Sequence, residues 1–298
     1  MAVTTSEHTR WASLENPGRL AELLCARIEG EASRLRAEFG PPGSDRIRYC
    51  FLDRVLPESV MSAAYDTLPR LSDMIRLKNM KERKFLSADL DRLSPSIADV
   101  VLAFAQPKVA DIIGWINGGQ KLQPDPDLYN GGITVMLPGD HMCPHLDNSH
   151  NRSRIHRRDV VLLYYLTPSW LPAYGGSLEL WDMTRRKPQA VIEFCPNRLV
   201  MMETTNKSWH AVRAVTGCLP RASVTSYFYA SENQGQPVRL TRFASWPGHP
   251  LKGLLFNGQF YMRSAASKVV GRSIGNKHVY TRNVMMRRQS GSKSSKRP

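Results

Sequence analysis

Long apolar runs are missing from this chain. A membrane-spanning helix needs roughly 18 apolar residues in a row, and the longest candidate, VVLLYYLTPSWL at 160–171, is about the length of a strand. The opening MAVTTSEHTRWASLENPGRL has no basic segment followed by an apolar core, so no secretory signal is expected. Cysteine is sparse: five residues (Cys25, Cys50, Cys143, Cys195 and Cys218), odd in number and without a CxxC pair. That fits reduced thiols and a cytoplasmic setting better than a disulfide framework. Acid is missing from the C-terminal end. Between Asn233 and Pro298 there are thirteen Lys or Arg and no Asp or Glu, so +13 of the formal +15 sits in the last 66 residues. A uniformly basic nucleic-acid binder is therefore not indicated. The basic end reads either as a solvated tail or as a handle for an anionic partner such as nucleic acid, lipid head groups or an acidic carrier protein.

What is present supports a folded body. At 42% hydrophobic over 298 residues, the chain can bury a substantial core. Residues 18–38 carry apolar positions at helical spacing and run into the breaker FGPPGS. RIRYCFLDRVLP reads as a short strand, PESVMSAAYDTLPRLSDMI as a helix, and SPSIADVVLAFAQPKVADIIGWING as one or two more. From about Gly131 the pattern changes to eight short strands separated by turns: ITVML, CPHLDN, DVVLLYYLT, GSLELWD, AVIEF, RLVMME, WHAVRAV and ASVTSYFYAS. Such spacing predicts an α+β chain with a sandwich or jelly-roll core. The expected organisation is a helical N-terminal support at 1–125 and a β core at 126–232. A C-terminal extension at 233–281 with one basic amphipathic helix (LKGLLFNGQFYMRSAASKVV) and a low-complexity basic tail at 282–298 would follow.

The chemistry concentrates in MCPHLDNSH, residues 142–150. In a strand, His145 and Asp147 are i and i+2 and face one side together. They would share either a hydrogen bond or a metal. A metal needs a third ligand, and His210 in NKSWHAVRAV, also strand-like, is the best candidate. Two histidines and one carboxylate suit non-haem Fe(II), because they leave coordination positions open. Eleven residues on, Arg221 and Ser223 form an R-x-S pair on one strand face. A buried arginine beside a hydroxyl is suited to holding a carboxylate through paired charged hydrogen bonds. The run NRSRIHRR just after the His-x-Asp pair reads as a solvated loop or as a border of the substrate entrance, and YNGG at 129–132 as a simple turn or a close backbone approach to substrate.

The segments PHLDN, VLLYYLTPSWLPAYGGSLELWD, NRLVMME, SWHAV and RASVTSYFY, in this order over residues 129–231, resemble the Fe(II)/2-oxoglutarate-dependent oxygenases, in particular their prolyl-4-hydroxylase-like branch. RYCFLDRVLPESV at 48–60 extends the resemblance more weakly. The resemblance implies a double-stranded β-helix and His145, Asp147 and His210 as iron ligands. It implies Arg221 as partner of the distal carboxylate of 2-oxoglutarate, with Tyr165 donating to the same group and Ser223 beside it. A family tyrosine is replaced by Leu137, and Tyr129 is the candidate to take over its contact. O2 is the implied cosubstrate and ascorbate a candidate accessory reductant. Glu179, Trp181 and Asn148 are candidates for substrate contact. The expected reaction is hydroxylation of an unactivated C–H bond in a small or carrier-linked, amino-acid-like or biosynthetic substrate, yielding succinate and CO2. Alternatives are a peptidyl-prolyl hydroxylase, a desaturating, cyclising or epimerising enzyme on the same core, and a catalytically silent jelly roll that binds nucleic acid or membrane through its basic tail.

Overall fold

Proline and glycine cut the N-terminal part of the chain into short helices. In the computed structural model, which describes residues 16–184, 186–230 and 237–270, Asn16 caps helix α1 (Pro17–Glu29) by accepting from the Gly18 amide at 2.8 Å. Gly30 ends α1, so the single helix expected over 18–38 is two, α2 being Ala32–Phe39. Helix α3 (Glu58–Asp66) stops short of Pro69, well before the end expected for it. Pro107, which has no amide hydrogen to donate, separates α4 (Pro95–Phe104) from α5 (Pro107–Ile116). Every residue of α4 from Ile97 to Phe104 is buried, which places it as the central helix of the support.

The strands form two antiparallel sheets. They are β1 (Tyr49–Asp53), β2 (Ile75–Lys78), β3 (Arg83–Ser87), β4 (Leu122–Pro124), β5 (Gly132–Met136), β6 (Met142–Leu146), β7 (Arg158–Tyr165), β8 (Leu178–Asp182), β9 (Lys187–Ile192), β10 (Arg198–Glu203), β11 (His210–Val212), β12 (Arg221–Ala230) and β13 (Arg242–Phe243). The larger sheet runs β1-β10-β7-β12-β5-β3-β2, with β4 also paired to β12; the smaller runs β13-β6-β11-β8-β9. Each of the eight strands expected after Gly131 is present. Together the sheets make a jelly roll, the double-stranded β-helix.

Alternation along β12 shows how the layers are filled. Ala222, Val224 and Phe228 face a core shared with the N-terminal helices, while Arg221, Ser223, Thr225 and Tyr227 face the space between the sheets. The large sheet is thus covered on both faces, which is why β7 reads as the unbroken run VVLLYY. The boundary expected at residue 126 falls between β4 and β5, strands of one sheet. β1 pairs with β10 and β3 with β5, so the N-terminal part is woven into the core. Asn197, with φ of 57°, joins the two: its side-chain oxygen accepts from the Val55 and Leu56 amides and the Tyr164 hydroxyl, and its amide donates to the Leu56 carbonyl.

Beyond β13 lies helix α6 (Pro250–Val270), where the basic amphipathic helix was expected. It packs through Phe256 against Cys143, Phe243 and Trp246. The basic tail at 282–298 lies outside the described residues. No helix among the described residues is long and apolar enough to cross a membrane.

Candidate active site

A cavity of about 130 Å³ opens between the two sheets. Its lining brings together His145, Asp147, His210, Arg221, Ser223 and Asn148 from three separate stretches of sequence. A β-bulge sets the first of these. Across the β6–β11 pair, His210 opposes His145 and Val212 opposes Met142, so β6 spends one more residue than β11 on the same step. The extra residue falls at Cys143-Pro144, and proline in a strand belongs at such a place. The bulge turns both Met142 and His145 toward the cavity and leaves Cys143 under α6.

The two imidazoles are oriented alike. His145 Nδ1 lies 3.0 Å from the Cys143 carbonyl and His210 Nδ1 lies 3.0 Å from the Ser208 carbonyl. A carbonyl only accepts, so each Nδ1 carries the hydrogen and each Nε2 presents its lone pair. These Nε2 atoms stand 3.8 Å and 4.0 Å from the two oxygens of Asp147. The Tyr227 hydroxyl donates to Asp147 Oδ2 at 3.2 Å and steadies that carboxylate. Burial, and then the adjacent His210, pushes the His145 pKa down to about 3. Burial acting alone would raise the Asp147 carboxyl, but the neighbouring His210 and Arg158 hold it below its ordinary value. The set is therefore two imidazoles with Nε2 turned inward and one carboxylate, all buried, as an Fe(II) ion requires.

Arg221 supplies the second half. Its guanidinium lies beside the stacked rings of Tyr165 and Phe194, 4.9 Å and 4.8 Å from their centroids. Nε donates to the Gly176 carbonyl at 2.8 Å. Among the described residues no carboxylate pairs with this cation, although it is only 3% exposed. Burial accordingly lowers its pKa. The Tyr165 hydroxyl beside it is also buried and makes no well-formed hydrogen bond with the described residues. A buried cation that no described carboxylate pairs with, beside a buried hydroxyl, fits the carboxylate of a bound 2-oxo acid. The approach is tight. At Gly176, with φ of +69°, an added Cβ would stand 2.8 Å from Arg221 Cδ.

Four of the expected residues, Glu179, Trp181, Tyr129 and Tyr165, stand outside the cavity lining. Glu179 and Trp181 share a face, but it is the outer face of β8, since Leu178 and Leu180 point between the sheets. There Glu179 accepts from the Trp181 indole and the Arg213 guanidinium, and Trp181 packs edge-on against Trp246. Tyr129 is absent from the cavity lining as well. Its amide donates to Asp125 and its carbonyl accepts from Arg158, which fixes the 125–131 turn. Within YNGG, Asn130 lines the cavity, whereas Gly132 packs against β3, where an added Cβ would meet the Ser87 carbonyl at 2.4 Å. Asn148 does line the cavity, held by Arg158 Nη1 at 2.7 Å and by its own bond to the His150 carbonyl. Arg158, from the basic run after the His-x-Asp pair, is fully buried and stacks 3.4 Å from the Tyr227 ring centroid.

Sequence reading missed Tyr227, Thr134 and Lys84, which also line the cavity. Tyr227 had a signal: it continues the alternation Arg221, Ser223, Thr225 by one more step. Lys84 lies on the β2–β3 hairpin, a stretch for which no structure was expected.

Residues 131–229 match the family model described as the 2OG-Fe(II) oxygenase superfamily. No curated protein sequence matches the chain. Solved structures similar to it include a prolyl-4-hydroxylase from Pseudomonas putida (17% identity, 70% of this chain and 98% of that one, TM-score 0.48). Another is a prolyl hydroxylase from Trichoplax adhaerens in complex with a hypoxia-inducible-factor peptide fragment (16% identity, 77% and 94%, TM-score 0.43). A third is an oxidoreductase of the 2OG-Fe(II) oxygenase family from Burkholderia pseudomallei (14% identity, 68% and 93%, TM-score 0.47).

Proposed function

We propose, for a chain whose residues 131–229 belong to the 2OG-Fe(II) oxygenase superfamily, that it hydroxylates an unactivated C–H bond of a small or carrier-linked, amino-acid-like or biosynthetic substrate. The observation that carries this is the pairing, across one cavity, of the converging His145, Asp147 and His210 donors with a buried Arg221 that no carboxylate among the described residues pairs with. His145, Asp147 and His210 would hold Fe(II), and Arg221, Ser223 and Tyr165 the distal carboxylate of 2-oxoglutarate. Bound together, Fe(II), 2-oxoglutarate and O2 supply the oxidising power, and the 2-oxo acid leaves as succinate and CO2.

The protein contributes position and dryness. The Cys143 and Ser208 carbonyls keep both Nε2 lone pairs turned inward, and Tyr227 keeps Asp147 in place. Met136, Leu163, Leu178 and Val212 wall the space beside Arg221 with apolar surface. Thr241 just ahead of β13, Phe243 on β13 and Arg263 on α6 close over the other side. That cover supports a small or flexible substrate over an extended peptide.

The test is an anaerobic titration of metal-free protein with Fe(II) and then 2-oxoglutarate, followed by the visible metal-to-ligand charge-transfer band. Wild-type protein should develop the band, His145→Ala should not, and Arg221→Ala should need far more 2-oxoglutarate. Succinate release with small amino acids and with prolyl peptides then separates the two substrate classes. A folded wild-type protein without a band would overturn the reading.

A further inference from the structure

Helix α6 is apolar on the side that faces water. Its two buried residues, Phe256 and Ser267, mark the side packed on the body, where Phe256 meets Cys143, Phe243 and Trp246. A helix turns about 100° per residue, so Leu251, Leu254, Leu255, Met262, Ala265 and Val269 fall within an arc of about 100° on the opposite side. Val269 is 87%, Leu251 82%, Leu254 73% and Met262 68% exposed, the four highest values among the large hydrophobic residues described. Seven of the fifteen exposed large hydrophobic residues described lie on this one helix, so the exposure is concentrated and not scattered. Single exposed leucines are ordinary, whereas a continuous apolar stripe marks a contact surface.

The charge around the stripe narrows what it meets. Lys252 and Lys268, both exposed, flank it on its two edges. The helix has no Asp or Glu, and residues 271–298 add eight Lys or Arg and again no acid. A second copy of this chain would bring a like-charged end against this one, which works against self-association. A nucleic acid would match the charge but leave the leucine, methionine and valine side chains in water. An anionic lipid surface satisfies both, because its head groups attract the lysines and its acyl boundary takes the apolar side chains. The helix is not long and apolar enough to cross a membrane, so it would lie along one. A free helix of this kind turns a polar face to water; here the folded body takes that side. The helix is also formed before it docks, so its ordering adds nothing to the cost of binding.

We propose that α6 docks this protein on an anionic lipid surface, with Leu251, Leu254, Leu255, Met262 and Val269 at the boundary between head groups and acyl chains and Lys252 and Lys268 against the head groups. This inference is independent of the chemistry in the cavity.

The experiment is flotation of full-length protein with two kinds of vesicle, phosphatidylcholine alone and phosphatidylcholine with about one-third phosphatidylserine. The expected result is binding about tenfold or more tighter to the anionic vesicles, weakening as salt rises. Leu254→Gln with Met262→Gln keeps the charge and should weaken that binding by about tenfold or more. Lys252→Gln with Lys268→Gln should weaken it by a similar factor and reduce its salt dependence. All four positions are exposed, so the thermal midpoints should match wild type. The same proteins are titrated with polyuridylate and run in sedimentation equilibrium. Wild-type protein that does not float with anionic vesicles would overturn the proposal, as when another segment of the chain covers the stripe. Flotation unchanged by Leu254→Gln with Met262→Gln would do so too, since the basic end alone would then be the attachment. So would tighter binding to polyuridylate than to anionic vesicles, or a dimer that the same pair of changes dissolves while vesicles stay unbound.

Discussion

His210 lies directly opposite His145 across the β6–β11 pair, with their ring centroids 4.1 Å apart. Two residues 65 positions apart in sequence are thus held by a backbone register and not by a loop. Metal affinity should depend on side-chain identity and very little on flexibility. Replacing either histidine by alanine, or Asp147 by asparagine, should weaken Fe(II) binding by more than about a hundredfold, since even groups behind the ligands cost ten- to a hundredfold. Equilibrium dialysis against Fe(II) under anaerobic conditions measures this, and far-UV circular dichroism should remain unchanged.

Arg221→Met separates binding from stability. Loss of a buried charged partner costs about 2–5 kcal/mol, so 2-oxoglutarate affinity should fall by roughly 30- to 5,000-fold. In the metal-free protein the same change removes a buried cation that no carboxylate among the described residues pairs with, and the thermal midpoint should hold or rise. A melt without ligand and a titration with 2-oxoglutarate would move in opposite directions.

Gly176→Ala should mimic a mild form of that variant. The new methyl group collides with Arg221 Cδ, at a backbone angle that favours glycine. Affinity for 2-oxoglutarate should drop by about tenfold or more, as displacement of one charge-assisted hydrogen bond would cause. Fe(II) affinity, measured without 2-oxoglutarate, should not change.

The metal-free protein should lose stability in mild acid. His145 is held down to about 3, whereas an exposed histidine titrates near 6.5. Below about 6.5 the unfolded chain takes up a proton that the folded protein refuses, so the stability present above that pH declines continuously toward 3. Asp147, also held below its ordinary value, adds to the loss at the acid end. Urea midpoints should be lower at pH 5 than at pH 7.5, and His145→Gln should flatten the difference. A midpoint independent of pH would show that His145 is not kept neutral.

Asn197→Ala should be among the most damaging changes far from the cavity. It strands the Leu56 amide and carbonyl and the Tyr164 hydroxyl, all buried. A cost of about 3 kcal/mol or more is expected from several unmet buried groups, read as a shifted denaturation midpoint with 2-oxoglutarate affinity intact.

The β core was legible because alternation and turn residues agree over residues 131–230. The metal set was legible because a strand places His145 and Asp147 on one side, and Arg221 and Ser223 were readable for the same reason. The hairpin β2–β3 was hidden: RLKNMKERKFLS alternates poorly, and its turn is set by Asn79, whose side chain accepts from the Lys81 and Glu82 amides. With the hairpin went Lys84. Glu179 and Trp181 show a different limit. Alternation puts them on a common face but does not say which face, and the inward choice is made by Leu178 and Leu180 packing against the opposite sheet. The bulge at Pro144 was invisible for a related reason, because it exists only relative to the partner strand.

The interleaving of N-terminal strands with the core sets where this protein can be cut. A fragment trimmed to residues 131–229, the span that matches the family, would retain every proposed iron ligand and Arg221, yet it would strip β1 from β10, β3 from β5 and β4 from β12. The newly bare edges would carry unpaired amides and carbonyls beside apolar faces such as Leu199, Met201, Ile133 and Val135, a template for intermolecular pairing. For expression and crystallisation, the shortest sound fragment begins at α1.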